Sequence, residues 1–593
     1  MLSLPSCQPK SLSLLSATFS RAFSASHSTL SSSASVIQLP QFSIFAKAAK
    51  AAAASTPRAL ANTTAIVDPD GSNISYGELL RAVRTFADSS SLRDAKPGDR
   101  VAFLCPRDSS FVISQWGTWA REAIAVPLCA EHPASELAHV ISDSQASRVL
   151  FHPLFTTVIT ATRNDPRVIA QNPIFICVDP VTEYLQATLP QTTTLTTTWT
   201  PLDKTQGALI IYTSGTTGRP KGVLTTFANI EAQVASLHTA WRWSAADKIL
   251  LLLPLHHIHG VINIVTCALA AAATLEFTTA ENRTPSRIWA RILSPAQDLS
   301  LFMAVPTIYA RLIAEYNKAD FALQLRMRAA LKQFRLAVSG SAALPVPLFD
   351  AWAKIAPAPL LERYGMTEVG MALGNPYDGL RESGSVGVPF PGVETMVWDD
   401  TTGKDVKDVE GASGELYIRG PQIFKELSYS AIIFVFLLVL CKNILTQTNR
   451  YWNNPEATQK TFENGWFKTG DIVTVTKPHN TYKILGRASV DIIKSGGFKL
   501  SALVIEREIL SLETVQDVAV VGVPDEIWGE RVGAVVILKN STALVEDNKE
   551  IEQRLKNELK ARLAKYEIPT VWVFCDEIPR NAMGKVNKKS LVS

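Results

Sequence analysis

The stretch GALIIYTSGTTGRPKGVLTT (residues 207–226) passes from a short apolar run directly into hydroxyls, glycines and cations. Ala208, Leu209, Ile210 and Ile211 read as a strand. Thr213, Ser214, Gly215, Thr216, Thr217, Gly218, Arg219, Pro220 and Lys221 then follow without a break. Glycines let a backbone approach an anion and expose its N–H groups, hydroxyls add donors, and Lys221 adds charge. The chemistry is that of a loop that holds phosphate. A Walker A loop requires G-x-x-x-x-G-K-[ST]; here Gly215, Gly218 and Lys221 are three apart and Gly222 follows the lysine, so the pattern is a different one.

Further short apolar runs flank this one: RVAFLC, EAIAVPLC, KILLLLPL and FRLAVSG. Between several of them lie stretches with amphipathic helical spacing, such as YGELLRAVRTFADS and NIEAQVASLHTAW. Strands alternating with helices predict crossover units, and strands apolar throughout predict parallel sheets buried on both faces. The last hundred or so residues read as a small α+β unit, with a break expected within ILGRASVDIIKSGG. The expected fold is α/β: a large N-terminal domain of stacked mixed and parallel sheets with helices over residues 41–487, then a small mobile α+β C-terminal domain over 488–593.

The chain has 593 residues, 47 % hydrophobic and 19 % charged, with a formal net charge of +4. That composition supports a large core and predicts no nucleic-acid partner. The seven cysteines form no CxxC pair and are irregularly spaced, which argues against a zinc site or a disulfide framework. The first acidic residue is Asp68, and the stretch before it is rich in serine with scattered Lys and Arg. This is the composition of an organelle transit peptide, expected over residues 1–40. SRAFSAS resembles a mitochondrial processing site after Phe23, which points to the matrix; a chloroplast address fits the same composition. One stretch departs from the rest. LSYSAIIFVFLLVLCKNILTQTNR (residues 427–450) has an unbroken run of eleven apolar residues and no acid. A bilayer span takes about 20, so no transmembrane span is expected.

Four further motifs accompany the phosphate loop in order. They are LERYGMTEVG with Tyr364, Gly365, Met366, Thr367 and Glu368; NGWFKTGDI with Asp471; LGRASVDIIKSGGFKLSALVIE with Arg487, Gly496 and Gly497; and PRNAMGKVNKK with Lys585. The set resembles the adenylate-forming superfamily of acyl-CoA synthetases, luciferases and peptide-synthetase adenylation domains, over roughly residues 60–593 apart from 427–450. The resemblance implies ATP, Mg²⁺ and CoA. It puts ATP phosphates on the loop 213–221 and adenine on Gly340, Ser341, Ala342 and Tyr364. It puts the α-phosphate on Thr367, Mg²⁺ on Glu368, and the ribose on Asp471 supported by Arg487. Lys585 becomes the cation of the adenylation step, Ser489 the hinge, and Gly496–Gly497 the turn presented to CoA.

HHIHG (256–260), FRLAVSGSA (334–342) and ERYGMTE (362–368) resemble the malonyl-CoA synthetase branch. That branch implies Arg335 as the cation for the distal carboxylate of malonate, with His259, Gly365 and Met366 lining the acid pocket. A synthetase for a fatty or aromatic monocarboxylic acid, and a non-catalytic nucleotide-binding relative, are the rival readings. Thr225 and Phe227 stand where relatives often carry histidines. Removing residues 427–450 restores the family-like IFKEYWNNPEAT, so this segment reads as translated intron.

Overall fold

A computed structural model describes residues 35–53, 64–185, 195–213, 220–423, 451–495, 498–539, 547–580 and 586–592. The loop residues Ser214 to Arg219, the segment 427–450, Gly496, Gly497 and Lys585 lie outside them.

Two large sheets organise the N-terminal part. One runs in the order Lys221–Thr226, Gly207–Thr213, Ile124–Pro127, Arg100–Leu104, Arg148–Phe151, Ile174–Cys177. Every neighbouring pair is parallel except the hairpin of the first two, which carries the phosphate loop at its tip. The second has nine strands. Its parallel centre passes from Leu361–Met366 through Leu336–Ser339, Leu301–Ala304, Lys248–Leu250 and Thr274–Glu276 to Thr64–Val67. Strands such as Ile124–Pro127, Leu301–Ala304 and Leu336–Ser339 are buried at every position, which is why their sequences do not alternate. A third, antiparallel sheet contains Glu394–Asp399, Ser413–Arg419, Trp466–Thr476 and Thr481–Arg487.

The helices follow the periodicity. Tyr76–Asp88 begins in a capping box in which Ser75 and Glu78 satisfy each other's backbone N–H groups. Phe227–Trp241 starts in the same way from Thr226 and Asn229, and the Asn229 amide also donates to the carbonyls of Pro421 and Ile423. Phe227 is fully buried, its ring edge-on to Phe42. It therefore belongs to the core and not to the phosphate site.

The last sheet, Ile492–Ser495, Phe498–Ser501, Val515–Asp525, Gly529–Leu538 and Val571–Phe574, is separate from the others. The helices Ala502–Leu510 and Asn548–Leu559 bury Ile505, Ile509, Leu555 and Leu559 in its own core. Lys588, one of the cations near the C-terminus, is buried there between Asp491 and Glu506, each at 2.7 Å.

The described residues begin inside the region expected to be leader. Ser35–Pro40 is a strand parallel to Leu195–Thr200, and Leu39 and Phe42 are fully buried. The helix Ser43–Ala53 that follows buries Ile44, Phe45 and Ala48. A shortage of acidic residues thus continues past any leader into structured chain, because a buried apolar helix needs none. Among the described residues no helix is long and apolar enough to cross a membrane.

Candidate functional site

The described residues of LERYGMTEVG, of NGWFKTGDI with Arg487, and of the hairpin 207–226 come together beyond the parallel part of the second sheet, the side on which open α/β sheets bind ligands. Three groups of side chains assemble there.

The first joins Tyr364, Asp471 and Arg487. Asp471 and Arg487 are register partners on neighbouring antiparallel strands, so the ladder itself sets them opposite one another. Arg487 donates to both carboxylate oxygens of Asp471, at 3.0 and 3.3 Å, and the Tyr364 hydroxyl donates to Oδ2 at 2.5 Å. Burial works against the Arg487 charge, but Asp471 beside it strengthens its hold on the proton. Ser489 follows in an exposed turn, between this sheet and the last one.

The second group joins the base of the phosphate loop to Glu368. Thr213 and Lys221 pair across the hairpin, and His139 Nε2 lies 2.9 Å from the Pro220 carbonyl. Lys221 Nζ sits 5.3 Å from the ring centre of Tyr451, whose hydroxyl donates to Glu368 Oε1 at 2.8 Å. Tyr451 also bridges to Val223, and Trp452 N–H donates to the Gly222 carbonyl. Glu368 is buried and its carboxyl pKa is raised by burial, with the Tyr451 hydroxyl opposing the shift. Among the described residues it forms no ion pair. A buried, oriented carboxylate of this kind suits a hard divalent cation. Thr225 and Thr367 lie beside it.

The third group is polar, buried and only partly satisfied. Arg363 is 3 % exposed and Nη2 donates to Ser341 Oγ at 3.2 Å; His259 Nδ1 lies 3.1 Å from the same hydroxyl. Arg363 Nε, His259 Nε2, Ser339 Oγ and both amide atoms of Asn263 are buried without a hydrogen-bond partner. Each such atom costs about 1–3 kcal/mol unless something completes it. Burial pulls the Arg363 pKa down to about 9, and burial, then Arg363 and His257, hold His259 neutral. A desolvated cation surrounded by idle donors calls for an anion. Gly340 is obligatory here, since a Cβ would stand 2.5 Å from Arg363 Nε. Ser341 takes up a left-handed φ of 69° and brings its hydroxyl between Arg363 and His259. Ala342 is exposed just beyond. Gly365 and Met366 continue the Arg363 strand; a Cβ at Gly365 would strike the Gly370 carbonyl at 2.2 Å.

Arg335 is not part of this group, contrary to the expectation from sequence. Its guanidinium grips Asp247 with two 2.7 Å hydrogen bonds and also donates to the carbonyls of Trp241 and Arg242 and to the Tyr377 hydroxyl. It thus ties the end of the helix Phe227–Trp241 to the start of the strand Lys248–Leu250. The reason is strand direction. Arg335 precedes Leu336–Ser339 and Ser339 ends it, so about four residues at roughly 3.3 Å each separate Arg335 from the ligand side. Arg363, Tyr451 and Asn263 were not singled out from sequence, whereas Ser339 was, as the first residue of SGSA. The usable signal for Arg363 was two adjacent charges, Glu362 and Arg363, inside an otherwise apolar strand.

A family model described as AMP-binding enzyme matches residues 51–427, and one described as AMP-binding enzyme C-terminal domain matches 504–585. The chain belongs to the AMP-binding enzyme family. It is 42 % identical to a mitochondrial malonate–CoA ligase of Xenopus laevis, over 83 % of this chain and 82 % of that protein. It is 35 % identical to a malonate–CoA ligase of Arabidopsis thaliana, over 99 % and 93 %. Among solved structures it resembles ATP-bound MatB from Rhodopseudomonas palustris, with a TM-score of 0.74 and 28 % identity over 89 % of this chain and 95 % of that one.

Arg335→Ala would leave Asp247 buried and unpaired. Loss of one member of such a pair costs about 3–5 kcal/mol, and the partial exposure of Arg335 favours the lower end. The thermal midpoint is expected to fall while the acid preference of the folded fraction stays unchanged. A selective loss on a diacid relative to a monoacid would return Arg335 to the site.

Proposed function

We propose that this chain is an ATP-dependent malonate–CoA ligase acting in mitochondria. The observation that carries the reading is Arg363: a buried guanidinium with no carboxylate paired to it among the described residues, in the strand Leu361–Met366 that also carries Tyr364. Malonate at neutral pH has two carboxylates. One reacts, and the other takes the place of the counter-ion that Arg363 lacks, with His259 and Ser341 beside it.

The reacting carboxylate oxygen attacks the α-phosphorus of ATP; the O–P bond forms as the bond to pyrophosphate breaks, giving malonyl-adenylate. The thiolate of CoA then attacks the adenylate carbonyl, and AMP leaves. Two anions must meet in the first step, so fixed positive charge and preorganised donors lower its barrier. The loop 213–221 binds the β- and γ-phosphates, and Thr367 the α-phosphate. Tyr364 stacks on adenine, while Asp471 accepts from the ribose hydroxyls and Arg487 holds it in place. Glu368 would hold Mg²⁺, which would supply positive charge against the phosphates. Lys585 approaches the α-phosphate during adenylation. The unit after Arg487 then turns about Ser489 to bring Gly496 and Gly497 to CoA.

Arg363→Met is the direct test. Loss of a charged hydrogen bond worth about 1.5–3 kcal/mol predicts a drop of roughly 10- to 100-fold in kcat/KM for malonate, read as pyrophosphate release. Butyrate should be affected far less. An equal loss on both acids, or a wild-type chain that prefers monocarboxylates, would refute the diacid reading.

The mitochondrial assignment rests on the acid-free N-terminus, the SRAFSAS stretch and the mitochondrial relatives. Residues 1–60 fused to a fluorescent protein should direct it to mitochondria; a plastid or diffuse signal would overturn the assignment.

The segment 427–450 is inessential to this function. Its flanks are both seated against the hairpin and helix that carry the phosphate loop: Ile423 on Asn229, and Tyr451 on Val223. A chain lacking 427–450 is expected to be more soluble and at least as active. Loss of adenylation in that deletion would mean that the segment contributes to the site.

A further inference from the structure

We infer that Cys129, His132 and His256 form a zinc site that stitches the two large sheets together beside the acid pocket. Cys129, Ala130, Glu131 and His132 make a tight turn just after the strand Ile124–Pro127 of the first sheet. His256 lies in the stretch 253–260 that follows the strand Lys248–Leu250 of the second sheet. One donor atom from each of the three residues lies within 4.8 Å of the other two. Tetrahedral zinc, with Zn–S of about 2.3 Å and Zn–N of about 2.0–2.1 Å, sets its donors roughly 3.3–3.6 Å apart, so modest side-chain adjustment closes the set.

The surroundings match a thiolate–imidazole metal site in three respects. Cys129 is buried, and the His132 N–H donates to the Cys129 carbonyl at 3.2 Å, which closes the turn and holds the two side chains near one another. His132 Nδ1 lies 3.3 Å from Glu136 Oε2, one helical turn on. A carboxylate on one ring nitrogen fixes the tautomer and leaves the other free for metal. The His256 ring lies 5.4 Å, centre to centre, from that of His132 and 4.1 Å from that of His257. Two acids, Glu131 and Glu136, stand by Cys129 and offset Arg107. Three protein ligands leave a fourth position for water or an anion. The expectation from Cys spacing that this chain holds no zinc does not extend to such a set, since its third ligand comes from another sheet.

The ion would hold His256, and with it the stretch that ends at His259 in the acid pocket. The site is independent of which acid is used. The untagged full-length chain should purify with about one zinc per chain. Cobalt in its place should give a thiolate-to-cobalt charge-transfer band. Cys129→Ser and His132→Ala should abolish both signals, and Cys105→Ser should keep both. Glu136→Gln should weaken zinc about 10- to 100-fold. In the wild-type chain, zinc should also protect Cys129, identified by peptide mapping, from a thiol reagent, a readout that does not depend on any variant folding. Substoichiometric zinc with no protection of Cys129, or undiminished zinc in folded Cys129→Ser, would overturn the site.

Discussion

Arg363 is buried to 3 % exposure with a serine hydroxyl, and no carboxylate, as its hydrogen-bond partner. Keeping a guanidinium in that state is costly, and the surrounding structure is arranged to hold it there. Gly340 has no side chain because any Cβ would collide with the guanidinium. Ser341 adopts a left-handed conformation so that one hydroxyl serves both Arg363 and His259. The strand is locked between Leu336–Ser339 on one side and Gly370–Gly374 on the other, which prevents the cation from swinging out to solvent. A site of this kind is rigid when empty and complete only with an anion in it, which is the arrangement that favours binding without reorganisation.

The same strand leads into Tyr364, Thr367 and Glu368, so the anion pocket and the nucleotide groups share one piece of backbone. Tyr451 then links Glu368 to Lys221 at the base of the phosphate hairpin. This contact crosses from the second sheet to the first. A displacement of the loop is therefore felt at the carboxylate that would carry the metal. Tyr451 directly follows the segment 427–450, so a residue in contact with Glu368 stands where the family-like sequence resumes.

Asp471 and Arg487 close the large domain. Their pairing is a consequence of antiparallel register, and the following turn at Ser489 is exposed and lightly held. Beyond it the chain builds its own sheet and core, with Lys588 buried between Asp491 and Glu506. A stiff ion pair on one side of an exposed turn and an independent core on the other is the mechanical arrangement a hinge needs.

The sequence alone was enough for the α/β class, the buried parallel strands and the strand that runs into the Gly- and Thr-rich stretch after Thr213. Those features depend on local apolar runs and on Gly- and Thr-rich turns, which neighbouring residues specify. It also brought Tyr364, Asp471 and Arg487 forward, through motifs whose order survives in a single chain. It put forward Arg335 and passed over Arg363. Both lie close to a recognised motif, and only the direction of a strand says that one is at the ligand end and the other at the opposite end. Nor did it reveal Cys129 beside His256, or Tyr451 beside Glu368. Those pairs come from different elements, and their distances are set by how the sheets stack and not by any spacing along the chain. Burial has the same origin: an arginine in a sequence carries no mark of its partners, and the tertiary structure alone determined that, among the described residues, Arg335 has a carboxylate partner and Arg363 has none.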